Sequence, residues 1–406
     1  MAETIGLWFL NQKVVVPPNR LEALNWCYQI SIATFIIYLI SVPYNAAIIA
    51  HERMSVFAYI GIFESIGKLL IAYLVLVSPI DRLCFYALLM CILSAAIRLV
   101  YGWYCKEKFE ECRYSWILDK ELLIKMFGFA GWNSIGAISW VLRLHGGTLL
   151  VNLFFGPSAN AAKSIGNRVS TVVSSFSANF MTAINPQITK SYANGDRDYM
   201  LRLAYKGIRF SFFLILMLAL PVLINTYYIL YLWLKLVPDS APIFVQLSIV
   251  MALTEVLSSP LITMMLATGT IKKYQIIVGG LQMLNFPVAY LTFKMGAPVE
   301  SIMIVAIILS MICLAARLVL LKGMIGLDPW QYITDILLKV LLVTIISVST
   351  AYYVNTLLEQ NFLNVVLVSI FTMIVVAITS FLIGCTNSEQ RLIIDKISAV
   401  ASKIIK

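Results

Sequence analysis

Charged residues are scarce in this chain of 406 residues. Asp, Glu, Lys and Arg together make up 12% of it, against roughly a quarter in an ordinary soluble domain. Hydrophobic residues make up 61%, more than a soluble fold can bury. Because the apolar residues fall in blocks of about 20, long enough to cross a bilayer as helix, the sequence predicts an all-α, polytopic membrane helix bundle.

The residues that catalysis and metal binding require are also scarce. The chain has only 2 histidines, His51 and His145, and no Gly-rich phosphate loop, no His-Glu-x-x-His segment and no paired carboxylates in one polar segment. The 7 cysteines lie mostly in apolar blocks and include no Cys-x-x-Cys, so we interpret them as packing residues. We therefore expect no enzymatic activity, no metal site and no cofactor.

The apolar runs predict eleven membrane-spanning helices. The net charge of +10 does not indicate a nucleic-acid partner, because the basic residues are spread through short loops and form no stripe with interleaved aromatics. One set of alternate loops holds most of the Lys and Arg, which predicts a cytoplasmic C-terminus. The predicted spans are residues 26–50, 55–78, 82–104, 128–155, 163–188, 208–234, 241–267, 271–294, 299–321, 333–356 and 361–384.

An internal repeat indicates how the spans are organised. Spans one to three align with spans seven to nine, which is typical of two lobes related by an axis along the membrane normal. The first lobe then lacks about three helices, since only Met1–Leu10 precedes its trio. The aligned residues, at a shift of 217 positions and then 219, are Ser41 with Ser258, Pro43 with Pro260, Ala72-Tyr73-Leu74 with Ala289-Tyr290-Leu291, and Arg98 with Arg317.

This repeat predicts six segments. Residues 386–406 form either an amphipathic helix on the inner leaflet or a solvated tail, since Ile393, Ile397 and Ile404 share one helical face. The segments are a remnant of a truncated helix with an external loop (1–25), a partial N-terminal lobe (26–105), a cytoplasmic linker (106–127), a six-helix C-terminal lobe (128–322), two additional helices (331–385) and the tail (386–406).

The fourth and fifth spans contain many polar residues, which is typical of helices that line a wet cavity. Arg143, Lys163 and Arg168 would give that cavity a positive charge and a preference for an anion. Alternatively, Lys163 and Arg168 lie at the outer interface with their ammonium and guanidinium groups in water. The candidate binding residues are Arg143, His145, Lys163, Arg168, Asn133, Asn152, Asn167 and Asn179.

A few other charged groups also lie within spans. Glu64 and Lys68 are four residues apart, which favours a structural ion pair within one helix. Glu255 is a candidate proton or cation coupling site, with a hydrogen-bonded packing role as the alternative. We interpret Arg98 and Arg317 as anchors at the cytoplasmic ends of their spans.

Three segments carry a resemblance to a known family. Residues 41–52 (SVPYNAAIIAHE), 129–133 (FAGWN) and 185–193 (NPQITKSYA) resemble the polysaccharide flippases of the multidrug/oligosaccharidyl-lipid/polysaccharide exporter superfamily. The closest likeness is to O-antigen or lipopolysaccharide unit flippases of Bacteroides-type bacteria. It extends over essentially the whole chain, but such proteins carry two further helices and most of a third before residue 2.

The resemblance implies a two-lobed transporter of twelve to fourteen helices in the bacterial inner membrane. It would move an undecaprenyl-pyrophosphate-linked oligosaccharide to the periplasmic leaflet, with membrane lipids and polysaccharide polymerase machinery as partners. Arg143, with Lys163 or Arg168, would pair with the pyrophosphate, and the four asparagines would bind sugars. Two alternatives remain open, a drug/cation antiporter of the multidrug and toxin extrusion type and an inactive truncated membrane protein.

The basic stretch from Lys190 to Arg209 is predicted as a loop with two alternative roles. Its cations orient the chain and contact anionic lipid headgroups, or they collect the pyrophosphate headgroup before it enters the cavity.

Overall fold

The structure is a computed structural model that describes residues 21–78, 81–112, 119–386, 389–391 and 394–395. Helices make up about 90% of this part of the chain, which contains no strand. The all-α class predicted from the sequence is therefore confirmed. Within the described residues, 10 helical stretches are long and apolar enough to cross a membrane, and one of them, Lys120–Ala193, covers the fourth and fifth of the eleven predicted spans.

The chain divides into two compact units, one ending at Leu118 and the other beginning at Asp119. The first unit contains α1 (Leu21–Ala50), α2 (Met54–Leu74) and α3 (Arg82–Lys108). Its helices are apolar on nearly every face, because lipid rather than water is their solvent. Its small core contains Ile48, Ile60, Tyr101, Cys105 and Phe109.

Two charged groups of the first unit have partners on neighbouring turns or helices. The ammonium of Lys68 donates to Glu64 at 2.6 Å, so the predicted ion pair within α2 is confirmed. The guanidinium of Arg98 lies 4.0 Å from the centre of the Tyr44 ring, and this cation–π contact joins α3 to α1.

The second unit contains the other helices of the chain. Two of them run through short π-helical turns at residues 275–279 and 380–384, and α11 has a third at residues 333–337. The helices are α4 (Lys120–Val141), α5 (Gly147–Ala193), α6 (Arg197–Ile224), α7 (Thr226–Leu234), α8 (Ala241–Ala267), α9 (Lys272–Lys294), α10 (Ser301–Ile325), α11 (Pro329–Leu357) and α12 (Phe362–Gly384).

The fourth and fifth predicted spans are joined more tightly than the sequence indicated. A helical stretch extends from Lys120 to Ala193 and breaks at Gly156, whose φ is 81°. Glycine adopts this conformation without a Cβ clash, and Pro157 can begin a helix because the first turn has unpaired N–H groups anyway. Residues 157–162, predicted as a loop, are therefore helical.

The prediction of a basic loop from Lys190 to Arg209 is wrong. Helix α5 continues to Ala193 and α6 begins at Arg197, so only a short turn separates them. Charged residues at a helix end can stay helical beyond the apolar run, and the apolar pattern does not detect them. Arg209 is only 5% exposed, so it has little contact with solvent.

A buried ion pair holds the segment after α12 against α6. The Nη2 atom of Arg209 lies 2.6 Å from Oε1 of Glu389, and both side chains are buried. Arg209 also donates to the backbone oxygen of Asp335, and Glu389 accepts from the backbone N–H of Thr386 at 2.8 Å. Most of the predicted amphipathic tail lies outside the described residues, but its start is fixed by this pair.

We expect Glu389→Ala to lower the free energy of unfolding by about 3–5 kcal/mol, because it leaves the Arg209 guanidinium buried and unpaired. Thermal unfolding of the purified protein in detergent measures this loss. The control Glu359→Ala removes an exposed carboxylate and should change little. The double variant Arg209→Leu/Glu389→Leu should recover most of the lost stability, and a double variant as unstable as Glu389→Ala would contradict this account.

Helices α5 and α8 pack closely because small residues line their contact. A Cβ at Gly166 would lie 2.7 Å from the backbone oxygen of Phe244, too close for a carbon atom. One turn later, the hydroxyl of Ser170 donates to the backbone oxygen of Ser248 at 3.1 Å. The polar residues of the fifth span therefore serve partly as small packing residues, in addition to any role in a cavity.

Gly166→Ala should destabilise the second unit by about 1–3 kcal/mol, since the backbone of α8 must move to admit the methyl group. The matched control is Gly131→Ala on α4, where an added Cβ meets open space. Because alanine favours a helix more than glycine does, this variant should be as stable as the wild type or slightly more stable. Thermal unfolding separates the two variants, and equal melting temperatures would rule out the close contact.

Candidate functional site

Helices α4, α5, α8, α9 and α10 of the second unit line two adjoining, partly open cavities of about 420 and 410 Å³. The first, which we call the Arg317 chamber, is also lined by Asn133, Ser258 and Gln275. The second, the Lys163 chamber, is also lined by Asn167 and Ser248. The two share Arg143 and Glu255, which lie at their junction. Each volume falls in the ~300–1,000 Å³ range of small-molecule sites.

The Arg143–Glu255 ion pair joins α4 to α8 where the chambers meet. The Nη1 atom of Arg143 lies 2.5 Å from Oε1 of Glu255. Arg143 belongs to a π-helical turn, Leu142–Gly146, which continues α4 into α5. Such turns widen a helix locally and are frequent at functional sites. Glu255 is therefore engaged by a cation, and the predicted hydrogen-bonded role fits its geometry better than that of an isolated coupling carboxylate.

Lys163 is a buried lysine whose only hydrogen-bond partner among the described residues is neutral. Its side chain is 4% exposed, and its Nζ donates to the hydroxyl of Thr148 at 3.1 Å. A Cβ at Gly147 would lie 3.1 Å from this Nζ, so the glycine leaves room for the ammonium. No carboxylate in the described part of the chain lies within ion-pair distance. The structure therefore excludes solvent exposure of Lys163 within this unit.

Arg317 is the second buried cation of this kind. It is 4% exposed, and its Nε and Nη1 atoms donate to the Tyr274 hydroxyl at 3.1 Å and the Ser258 hydroxyl at 3.0 Å. Both acceptors are neutral. The sequence interpretation placed Arg317 at a helix end as an anchor, but the structure buries it two turns before the end of α10, against the chamber.

The charges that border the chambers do not balance. Three cations (Arg143, Lys163 and Arg317) and one carboxylate (Glu255) line them, so three positive charges less one negative leave a formal charge of +2. Burying unpaired charge is costly in a medium of low dielectric constant. A bound anion would offset this cost, so the geometry favours an anionic ligand.

Neutral hydrogen-bonding groups surround these charges. The Gln275 amide donates to Oδ1 of Asn133 at 3.0 Å, which joins α9 to α4. Asn285 is 4% exposed and borders both chambers. The Ser248 hydroxyl is buried beside the Lys163 chamber with no hydrogen-bond partner in the described residues. The amide side chains can bond a polyhydroxylated ligand.

The structure brings together five of the nine predicted site residues. Arg143, Lys163, Asn133, Asn167 and Glu255 line the chambers. The other four are exposed and line neither chamber, namely His145 in the π-helical turn and Asn152, Arg168 and Asn179 on α5.

The sequence interpretation missed Arg317, Gln275 and Asn285. The sequence showed Arg317 as a charge within a span, aligned with Arg98 in the repeat, but it did not show that the side chain is buried. The two amides lie in the predicted eighth span, where single polar residues in apolar surroundings are a weak signal.

Comparison with known proteins gives no relative. The chain matches no protein-family model, no curated protein and no solved structure. The geometry of the chambers therefore carries the functional interpretation.

Lys163→Met should raise the free energy of unfolding by about 1–4 kcal/mol, because a thioether of similar length replaces an ammonium without a counter-ion. The control is Lys294→Met, which removes an exposed charge and should change stability by less than about 0.5 kcal/mol. Thermal unfolding without added ligand provides the comparison. A melting temperature for Lys163→Met at or below that of the wild type would mean that the ammonium is satisfied in the folded state.

Proposed function

We propose that the chain is a flippase of the polysaccharide exporter type, which moves a polyprenyl-pyrophosphate-linked oligosaccharide across the inner membrane for surface polysaccharide biosynthesis. The observation that carries this proposal is the pair of buried cations, Lys163 and Arg317, neither of which contacts a carboxylate in the described residues. A pyrophosphate carries the negative charge that these groups lack. The role is transport, with no covalent chemistry at the site.

The substrate needs such a cavity for a physical reason. Its pyrophosphate and hydroxyls lose their hydrogen bonds to water inside hydrocarbon, at a cost of several kcal/mol for each unpaired group. Arg143 and Lys163 would replace water at the phosphate oxygens through charge-assisted hydrogen bonds. Asn133, Asn167 and Asn285 would bond the first sugars, while the prenyl tail remains in lipid.

The helix pattern supports a lobe repeat. In the first unit, α1, α2 and α3 have 30, 21 and 27 residues. In the second, α8, α9 and α10 have 27, 23 and 25 residues. We propose that these trios are equivalent parts of two lobes like those of the multidrug and toxin extrusion transporters.

The antiporter alternative is less well supported. A drug or metal cation would need a free carboxylate in the cavity, and Glu255 is paired with Arg143 at 2.5 Å. Glu64, the other candidate, is paired with Lys68. The formal charge of +2 around the chambers would also repel a cationic ligand.

Translocation by the purified protein in proteoliposomes tests the proposal. The substrate is a fluorescent polyprenyl-diphosphate oligosaccharide, and a membrane-impermeant quencher reports the fraction in the outer leaflet. Arg143→Ala and Lys163→Met should each slow translocation about tenfold or more, as expected when one charge-assisted hydrogen bond to the phosphate is lost.

Two controls sharpen this experiment. His145→Ala changes an exposed residue on the turn of Arg143 but outside the chambers, and should translocate like the wild type. Wild-type rates in both Arg143→Ala and Lys163→Met would refute the assignment of the site. Drug resistance that depends on Glu255 in cells would favour the antiporter instead.

A further inference from the structure

A third cavity of the second unit lies apart from the two chambers. Its volume is about 1280 Å³, and it opens between the first turns of α4, the turn before α9 and the last turns of α10. We call it the lysine groove, because Lys125, Lys272 and Lys273 line it. Its other walls include the apolar side chains of Phe129, Trp132, Val319, Leu320 and Met324.

The groove is positively charged and has no internal counter-charge. No acidic residue lines it, and none of its three lysines pairs with a carboxylate in the part of the chain that the structure describes. All three lysines are exposed. The ammonium of Lys272 lies 5.0 Å from the centre of the Trp132 ring, a cation–π contact that holds it above the apolar wall.

The position of the groove indicates where its ligand comes from. It lies where α4 and α9 begin and where α10 ends, so it is at the ends of helices long enough to cross a membrane. Tryptophan with lysine at helix ends is typical of the level of lipid headgroups. A phosphate at this level would meet the ammonium groups, and the chains attached to it would meet Phe129, Trp132 and Val319.

We infer that the lysine groove binds the headgroup phosphate of an acidic phospholipid from the surrounding bilayer. Three lysines around one concave surface favour a lipid of net negative charge over a zwitterionic one, whose own ammonium they repel. The apolar walls favour a lipid over a free phosphate, because a soluble anion gains nothing from them. The inference rests on the membrane helices and the groove, and does not depend on the transported substrate.

Lysines are enriched at the cytoplasmic ends of membrane helices whether or not they bind a particular lipid. The test therefore needs a control lysine at the same helix end but outside the groove. Lys322 is such a residue, because it is exposed near the end of α10 and does not line the cavity. A general attraction between the bilayer and surface charge would depend on Lys322 as much as on Lys272 or Lys273.

Native mass spectrometry of the full chain in detergent, titrated with phosphatidylglycerol or phosphatidylethanolamine, measures the affinity. The variant Lys272→Gln/Lys273→Gln should weaken phosphatidylglycerol binding by at least about tenfold, since each lysine near a lipid headgroup contributes about fivefold. Lys322→Gln should bind as the wild type does. Phosphatidylethanolamine should bind weakly to all of them.

The apolar wall and the source of the phosphate are tested separately. Trp132→Ala should also weaken phosphatidylglycerol binding, and inorganic phosphate should not displace the lipid. Equal phosphatidylglycerol affinity in the wild type and the double lysine variant would overturn the inference, as would an equal loss in Lys322→Gln or displacement by inorganic phosphate. If one of these variants fails to fold, Lys125→Gln changes a third exposed lysine of the groove and should weaken phosphatidylglycerol binding in the same way.

Discussion

The second unit is organised around two positive charges in a medium that disfavours them. Lys163 and Arg317 are almost fully buried, and their partners in the described residues are hydroxyl groups. An isolated charge in an interior of low dielectric constant normally forces either a counter-ion or neutralisation. We propose that a bound anion supplies the missing negative charge, so that the empty protein is less stable than it could be.

The surrounding helices hold these charges in place through small residues and local irregularities. Gly147 leaves room for the Lys163 ammonium, and Gly166 brings α5 within van der Waals distance of α8. The π-helical turn that carries Arg143 aims it at Glu255 on α8. This ion pair holds Arg143 and Glu255 at the junction of the two chambers.

The sequence predicted the helical membrane class well, because an apolar block of about 20 residues matches, as a helix, the thickness of a bilayer core. It predicted part of the site for a similar reason, since Arg143 and Lys163 lie within spans, where charges are costly. It failed where the outcome depends on helix rotation. Arg168 follows Lys163 on the same helix yet lies outside the chambers, and Arg209 is buried by a partner, Glu389, 180 positions away.

We propose that the chambers bind a diphosphate. Calorimetric titration of the detergent-purified chain with a polyprenyl diphosphate and with the corresponding polyprenyl alcohol tests it most directly, since the two ligands differ only in the charged group. We expect the diphosphate to bind and the alcohol not to bind. Arg317→Gln should weaken diphosphate binding, whereas Lys294→Met should leave it unchanged. Equal affinity for the diphosphate and the alcohol would contradict the proposal.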